Sequence, residues 1–123
     1  MKKIFLLLLA ALCVGCACFW IGSNAKFSTK KIDDKHIYFF SQERCPHCHN
    51  AKEYISKNYV NVKIEYRDIA TRENQAGFVA CAEKFNLDKE SWGTPLICMG
   101  QNVILGWDDK KQALFDEYVK AFQ

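Results

Sequence analysis

Ile37, Tyr38, Phe39 and Phe40 form an unbroken apolar run, and only Ser41 to Arg44 separate it from Cys45-Pro46-His47-Cys48. A β-prone run with no polar interruption suits a strand covered on both faces. Pro46 is tolerated in the first turn of a helix, where its missing N–H would have had no partner. Ala51, Tyr54, Ile55 and Asn58 then continue at helical spacing to near Tyr59. The chain therefore has to run strand, sharp turn, helix, with two thiols at the junction.

The rest of the chain extends this pattern. Val62, Ile64 and Tyr66 alternate with polar neighbours, the period-two signature of a strand with one buried face. Thr71 is placed to cap a second helix, whose apolar stripe is Phe78, Cys81, Ala82 and Phe85. Leu96–Met99 and Val103–Trp107 flank Gly100, Gln101 and Asn102, which predicts a β-hairpin. Asp109 with Gln112 resembles a capping box, and Leu114, Phe115, Tyr118 and Phe122 supply the stripe of a last helix. The element order predicted for residues 36–123 is β-α-β-α-β-β-α.

Charge and cysteine placement divide the chain. Lys2 and Lys3 are the only charges among the first 25 residues, so the remainder carries 15 basic against 14 acidic side chains. A near-neutral domain has no electrostatic footprint for nucleic acid. Residues 4–21 are uncharged and leucine-rich, the mark of an export signal or membrane anchor over 1–25, and 26–35 read as a polar linker. Ser23 and Ala25 offer a cleavage site, Gly15-Cys16 partly matches a lipoprotein-type motif for lipidation at Cys16, with Cys13 where that motif has leucine, and retention as an anchor is the third outcome. Membrane contact is then expected only through residues 4–21. The domain is expected outside the cytosol, in a periplasm or on the outer face of the cytoplasmic membrane. Cys13 and Cys18 read as small apolar side chains in that segment.

Four cysteines remain, Cys45, Cys48, Cys81 and Cys98. Cys45 and Cys48 sit in one helical turn, close enough for a disulfide. Unpaired N–H groups and the positive end of the helix dipole favour an anion there, so Cys45 should ionise more readily than a free thiol. His47, when protonated, adds to that effect, and stabilising the thiolate makes a pair more oxidising. Cys81 and Cys98 fall on a helix stripe and in an apolar strand, which reads by default as two inert core thiols and otherwise as a structural disulfide.

The segment Ser41 to Cys48, SQERCPHC, resembles the active-site segment of glutaredoxins, within the thioredoxin superfamily, and the resemblance extends over residues 36–122. The tetrapeptide itself is similar to that of DsbA-type disulfide oxidases, although their helical insertion has no room here. The resemblance implies a glutaredoxin-type α/β fold with a four-stranded mixed sheet and thiol-disulfide oxidoreductase activity on exported thiol or disulfide proteins. It also implies a redox partner that recycles Cys45 and Cys48, and no cofactor beyond their disulfide. Cys45 would be the nucleophile and Cys48 the resolving thiol, with Pro46 and His47 between them. Thr94 and Pro95 match the position of the superfamily's cis-proline and would offer backbone groups to an extended substrate. Gly106, Trp107, Asp108 and Asp109 look like the stretch with which glutaredoxins hold glutathione, with Trp107 in place of a glycine. Gln42 replaces the usual lysine and Arg44 an aromatic, so glutathione stands as an optional co-substrate. Thr94, Pro95, Arg44, Trp107 and Asp108 are the expected substrate contacts, and Trp92 and Trp107 are expected along the groove.

Cys45 to His49 also spells the CxxCH of c-type haem attachment, with Met99 available as a second axial ligand. That reading predicts a loop around an accessible His49 rather than a buried strand running into Cys45. Cys45 and Cys48 with His47 or His49 could contribute to a zinc site, but no second CxxC or spaced histidine pair completes four ligands. A non-catalytic binding protein of the same fold is the remaining alternative. His49 is expected on the solvent face of the first helix, and His36 without an identifiable partner.

Overall fold

The computed structural model describes residues 31–123. The expected leader, the candidate lipidation site Cys16 and half of the expected linker lie outside them. Among the described residues no helix is long and apolar enough to cross a membrane.

Strand β1 (Ile37–Ser41) leads into α1 (Pro46–Asn58), followed by β2 (Ile64–Asp68), α2 (Arg72–Lys84), β3 (Leu96–Met99), β4 (Asn102–Leu105) and α3 (Asp109–Tyr118), with short 3-10 turns at Lys89–Ser91 and Val119–Phe122. The sheet order is β2-β1-β3-β4, with β1 and β2 parallel and the other pairs antiparallel. The expected element order and mixed sheet are both found.

Because successive strand residues face opposite sides, the apolar run of β1 serves two cores. Ile37 and Phe39 join Ile97, Met99 and Ile104 under Ala51 and Ile55 of α1 and Phe115 of α3. Tyr38 and Phe40 join Leu96 and Cys98 under Phe78, Cys81 and Ala82 of α2. Helices thus cover both faces, and β1 is buried along its whole length.

Local structure departs from expectation at five places. In β2 the burial is inverted near its end: Tyr66 is exposed and Arg67 buried. Tyr66 packs one edge of its ring against Phe39, whereas Arg67 lies over the Tyr38 ring and pairs with Glu65 at 2.8 Å. A planar guanidinium can be buried in this way because stacking and a carboxylate replace its water. The second strand of the hairpin stops at Leu105, since Gly106 has φ +83° and turns the chain. The cap of α3 is Asp108, not Asp109, its carboxylate accepting from the Lys111 N–H at 2.8 Å. Leu114, expected on the buried stripe, is exposed, and Val119 is buried beside Phe115 instead.

The fifth departure concerns the approach to β1. Ile32 packs on the α2-side core, and the Asp33 N–H donates to the Tyr38 hydroxyl at 3.1 Å. Asp33 accepts from the Lys35 and His36 amides and meets His36 Nδ1 at 2.7 Å, so His36 has a partner after all. That hydrogen bond holds the Asp33 carboxyl below its ordinary range. Asp34 pairs with Lys84 and accepts from Gln101. Residues 32–35 therefore belong to the packed unit rather than to a free linker.

Candidate active site

Ser41 ends β1 with its carbonyl accepting from the Ile69 N–H at 3.0 Å, and Gln42 to Arg44 turn the chain toward α1. The Cys45 N–H closes that turn on the Gln42 carbonyl. Cys45 itself is the helix N-cap, a place usually held by Ser, Thr, Asp or Asn, and its Sγ accepts from the Cys48 N–H at 3.1 Å. Pro46 at the first helical position lacks an N–H, and the donor to the sulfur is the third residue of the helix, as in an ordinary N-cap.

The two sulfurs are joined as a disulfide, with Cα atoms 5.2 Å apart. Cys45 is 8% exposed and Cys48 1%, so one thiol can be reached from outside and the other lies behind it. His47 and Arg44 are exposed on either side of Cys45. Thr94 brings its carbonyl oxygen to 3.5 Å from Cys45 Sγ, and the Thr94–Pro95 bond is cis. The Pro95 carbonyl is taken up by the Gly106 N–H at 2.8 Å, which ties the Thr94 segment to the end of β4.

Trp107 is 9% exposed and packs its ring on Tyr54 and Phe115, in the same core cluster as Cys45 and Cys48. Trp92 meets the ring of Phe78 and donates Nε1–H to the Leu87 carbonyl at 3.2 Å. The Asp108 carboxylate is occupied in capping α3. Arg44 borders a cleft of about 410 Å³ with Gln42, Glu43, Asp68, Ile69, Ala70 and Gln75.

Cys81 and Cys98 form a second disulfide, joining α2 to β3. Both belong to the core on the side of the sheet opposite the Cys45 cluster, so the two sulfur pairs are separated by the sheet. The default expectation of two inert thiols is thus corrected: the antiparallel pairing of β1 with β3 sets Cys98 opposite Tyr38, on the face that α2 covers.

His49 was missed. Its Nε2 lies 2.7 Å from the Glu43 carbonyl oxygen, so the ring folds back from α1 onto the segment before Cys45. β1 is buried along its length and leads through residues 42–44 into Cys45, which is not the loop that the haem-attachment reading predicts. No spacing signal marks the contact, because a histidine on an exposed helix face has many other rotamers open to it. A second unforeseen cluster lies at the far side of α1. The Tyr54 and Tyr59 hydroxyls both donate to Asp116 Oδ1, at 2.7 and 2.5 Å, joining α1 to α3.

No protein-family model matches the chain, and no curated protein does. Among solved structures, the glutaredoxin of Archaeoglobus fulgidus superposes with a TM-score of 0.52 at 17% identity, over 80% of this chain and 99% of that one. The fold is thioredoxin-like. A thioredoxin-like protein at 24% identity matches over 63% of this chain and 96% of its own, with a TM-score of 0.48. Buckwheat glutaredoxin, crystallised with glutathione, matches at 15% identity over 70% of this chain and 74% of its own, also with a TM-score of 0.48. In this thioredoxin-like chain the CxxC pair stands where β1 hands over to α1.

Proposed function

We propose that this chain is an exported thiol-disulfide oxidoreductase that exchanges disulfides with protein substrates through Cys45 and Cys48. The observation that carries the reading is the Cys45 sulfur placed as a helix cap, accepting the Cys48 N–H, with Cys48 buried behind it. A sulfur anion in that position gains a charge-assisted hydrogen bond and the favourable end of the helix dipole. The dithiol form is stabilised relative to the disulfide, which poises the pair toward oxidising its substrates.

In the oxidising direction a substrate thiolate attacks Cys45 Sγ. The Cys45–Cys48 bond breaks, its electron pair leaves on Cys48 and a mixed disulfide forms. A second substrate thiolate attacks the substrate sulfur of that bond and expels Cys45 as a thiolate. The substrate has lost two electrons and two protons, and the Cys45–Cys48 pair has gained them. Run in reverse, the Cys45 thiolate attacks a substrate disulfide and Cys48 resolves the intermediate. A recycling partner restores whichever form was consumed. Thr94 and Arg44 flank the sulfur that the substrate approaches, and Asp108 is at the start of the neighbouring helix.

Export is supported by the leader-like first 25 residues and by two disulfides in one small domain, a pattern suited to an oxidising compartment. The deciding experiment equilibrates the full-length chain with a glutathione redox buffer, then alkylates free thiols and reads the mass. A reversible two-electron couple at Cys45–Cys48 is expected, lost in Cys45→Ser, with Cys48→Ser accumulating mixed disulfides. A chain that forms no reversible disulfide, or a Cys45→Ser variant that still exchanges, overturns the proposal. Persistent glutathionylation of Cys48→Ser, but no adduct with a cysteine-containing protein, would assign the small thiol as the substrate instead.

A further inference from the structure

His49 stands four residues beyond Cys45, at the fourth position of α1, while Glu43 lies two residues before it. In many helices a hydrophobic residue at the fourth position packs against the one just outside the cap and fixes the angle at which the chain enters. Here the outside positions are Glu43 and Arg44, both exposed, and no apolar pair is available. The imidazole Nε2 takes up the Glu43 carbonyl at 2.7 Å instead. A ring nitrogen facing a carbonyl oxygen must carry the proton, so Nε2–H is the donor whether the ring is neutral or charged.

That carbonyl belongs to the short segment that delivers Cys45 to the helix end. Its other backbone ties include the turn bond from the Cys45 N–H to the Gln42 carbonyl, the bond from the Ile69 N–H to the Ser41 carbonyl and the helix bond from the His49 N–H to the Cys45 carbonyl, none of which holds Glu43 itself. The sulfur keeps its 3.1 Å bond from Cys48 N–H only while Cys45 stays in the extended cap conformation, φ −98° and ψ 106°. We propose that His49 is a positioning residue for the Cys45 sulfur, holding the Glu43 carbonyl so that Cys45 remains the N-cap of α1. The imidazole touches no reacting atom; it acts through the backbone of residues 43–45. This rests on the oxidoreductase reading given above.

Without the clamp, Cys45 spends part of its time off the helix end, and its thiolate loses the Cys48 N–H. The dithiol state suffers most, because the anion depends on that donor more than the disulfide does. In the reaction of the Cys45–Cys48 disulfide with two glutathione thiols, giving the dithiol and glutathione disulfide, His49→Ala is expected to lower the equilibrium constant about threefold to tenfold. His49→Gln, whose amide can still donate to the Glu43 carbonyl, is expected to stay within about twofold of the parent chain. An unchanged constant in His49→Ala overturns the proposal. So does a His49→Gln chain that behaves like His49→Ala, because the ring's charge rather than its hydrogen bond would then set the equilibrium.

A measurement on the unmutated full-length chain covers the case in which the variants fail to fold. Nitrogen chemical shifts of the His49 ring, recorded with the ring neutral, should report a protonated Nε2 and a bare Nδ1. The opposite tautomer removes the donor and overturns the proposal. This reading does not depend on redox turnover, so absence of any Cys45–Cys48 couple would sink the functional proposal while the tautomer still decides the clamp.

Discussion

The Cys81–Cys98 bond closes a loop across 17 residues, from the last turn and a half of α2 to the middle of β3. Chain-entropy accounting puts the stabilisation from a loop of that length at about 3 kcal/mol. Cys81 is fully buried and Cys98 4% exposed, so each sulfur also contributes packing, roughly 1 kcal/mol when truncated to alanine. Each single variant, Cys81→Ala or Cys98→Ala, destroys the whole cross-link and one sulfur, costing about 4 kcal/mol. The double variant loses only the second sulfur in addition, for a total of about 5 kcal/mol instead of the 8 that independent effects would give. Urea unfolding of the four full-length chains under non-reducing conditions, followed by tryptophan emission, yields these differences, with thiol alkylation and mass to count free cysteines. A coupling of about 3 kcal/mol is expected. Two small, additive losses of about 1 kcal/mol each would mean the sulfurs act as separate packed thiols, and the cross-link reasoning would fail.

Other outcomes follow from single contacts. Asp108→Ala removes the carboxylate that accepts the Lys111 N–H at the start of α3, and should destabilise the chain by about 1 kcal/mol in the same urea assay, more than Asp109→Ala. Burial first, and then the hydrogen bond to Asp116, raise the pKa of Tyr59 above its ordinary value. A phenol whose pKa is raised on folding gives its full stabilisation below the unfolded value near 10 and loses it as pH rises beyond that. Thermal midpoints recorded from pH 8 upward should therefore fall above about pH 10, and fall less steeply in Tyr59→Phe. Gly77 of α2 leaves a Cβ only 3.1 Å from the Phe40 ring, which is itself fully buried, so Gly77→Ala should lower the thermal midpoint although alanine is the better helix former.

The parts of this protein that can be read in its sequence are those set by neighbours along the chain. The run Ile37–Phe40 announces a strand buried on both faces because each face has its own apolar pair, and the following CxxC fixes where α1 begins. Thr71 caps α2 as expected, its hydroxyl accepting from the Asn74 N–H at 3.3 Å, since that contact spans three residues. What the sequence concealed depends on contacts across the fold. Arg67 is buried because Tyr38 of the adjacent strand offers it a ring and Glu65 a carboxylate. Cys81 meets Cys98 only after α2 has been laid over β3. The cap of α3 slipped from Asp109 to Asp108 for a related reason: Gly106 turns the chain and Trp107 is drawn into the core, and these two events set the residue at which the helix can start.

One feature at the base of the sheet bears on how the thiols are presented. Asp34 is bound to Lys84 and Gln101, and the Gly100 turn lies against its carbonyl, so the chain enters where β3 meets β4. Cys45 and Thr94 stand at the other end of β1 and β3, a strand's length of about 17 Å away. The ties that hold the approach to β1 thus lie apart from the Cys45 sulfur, which another molecule can meet without disturbing them.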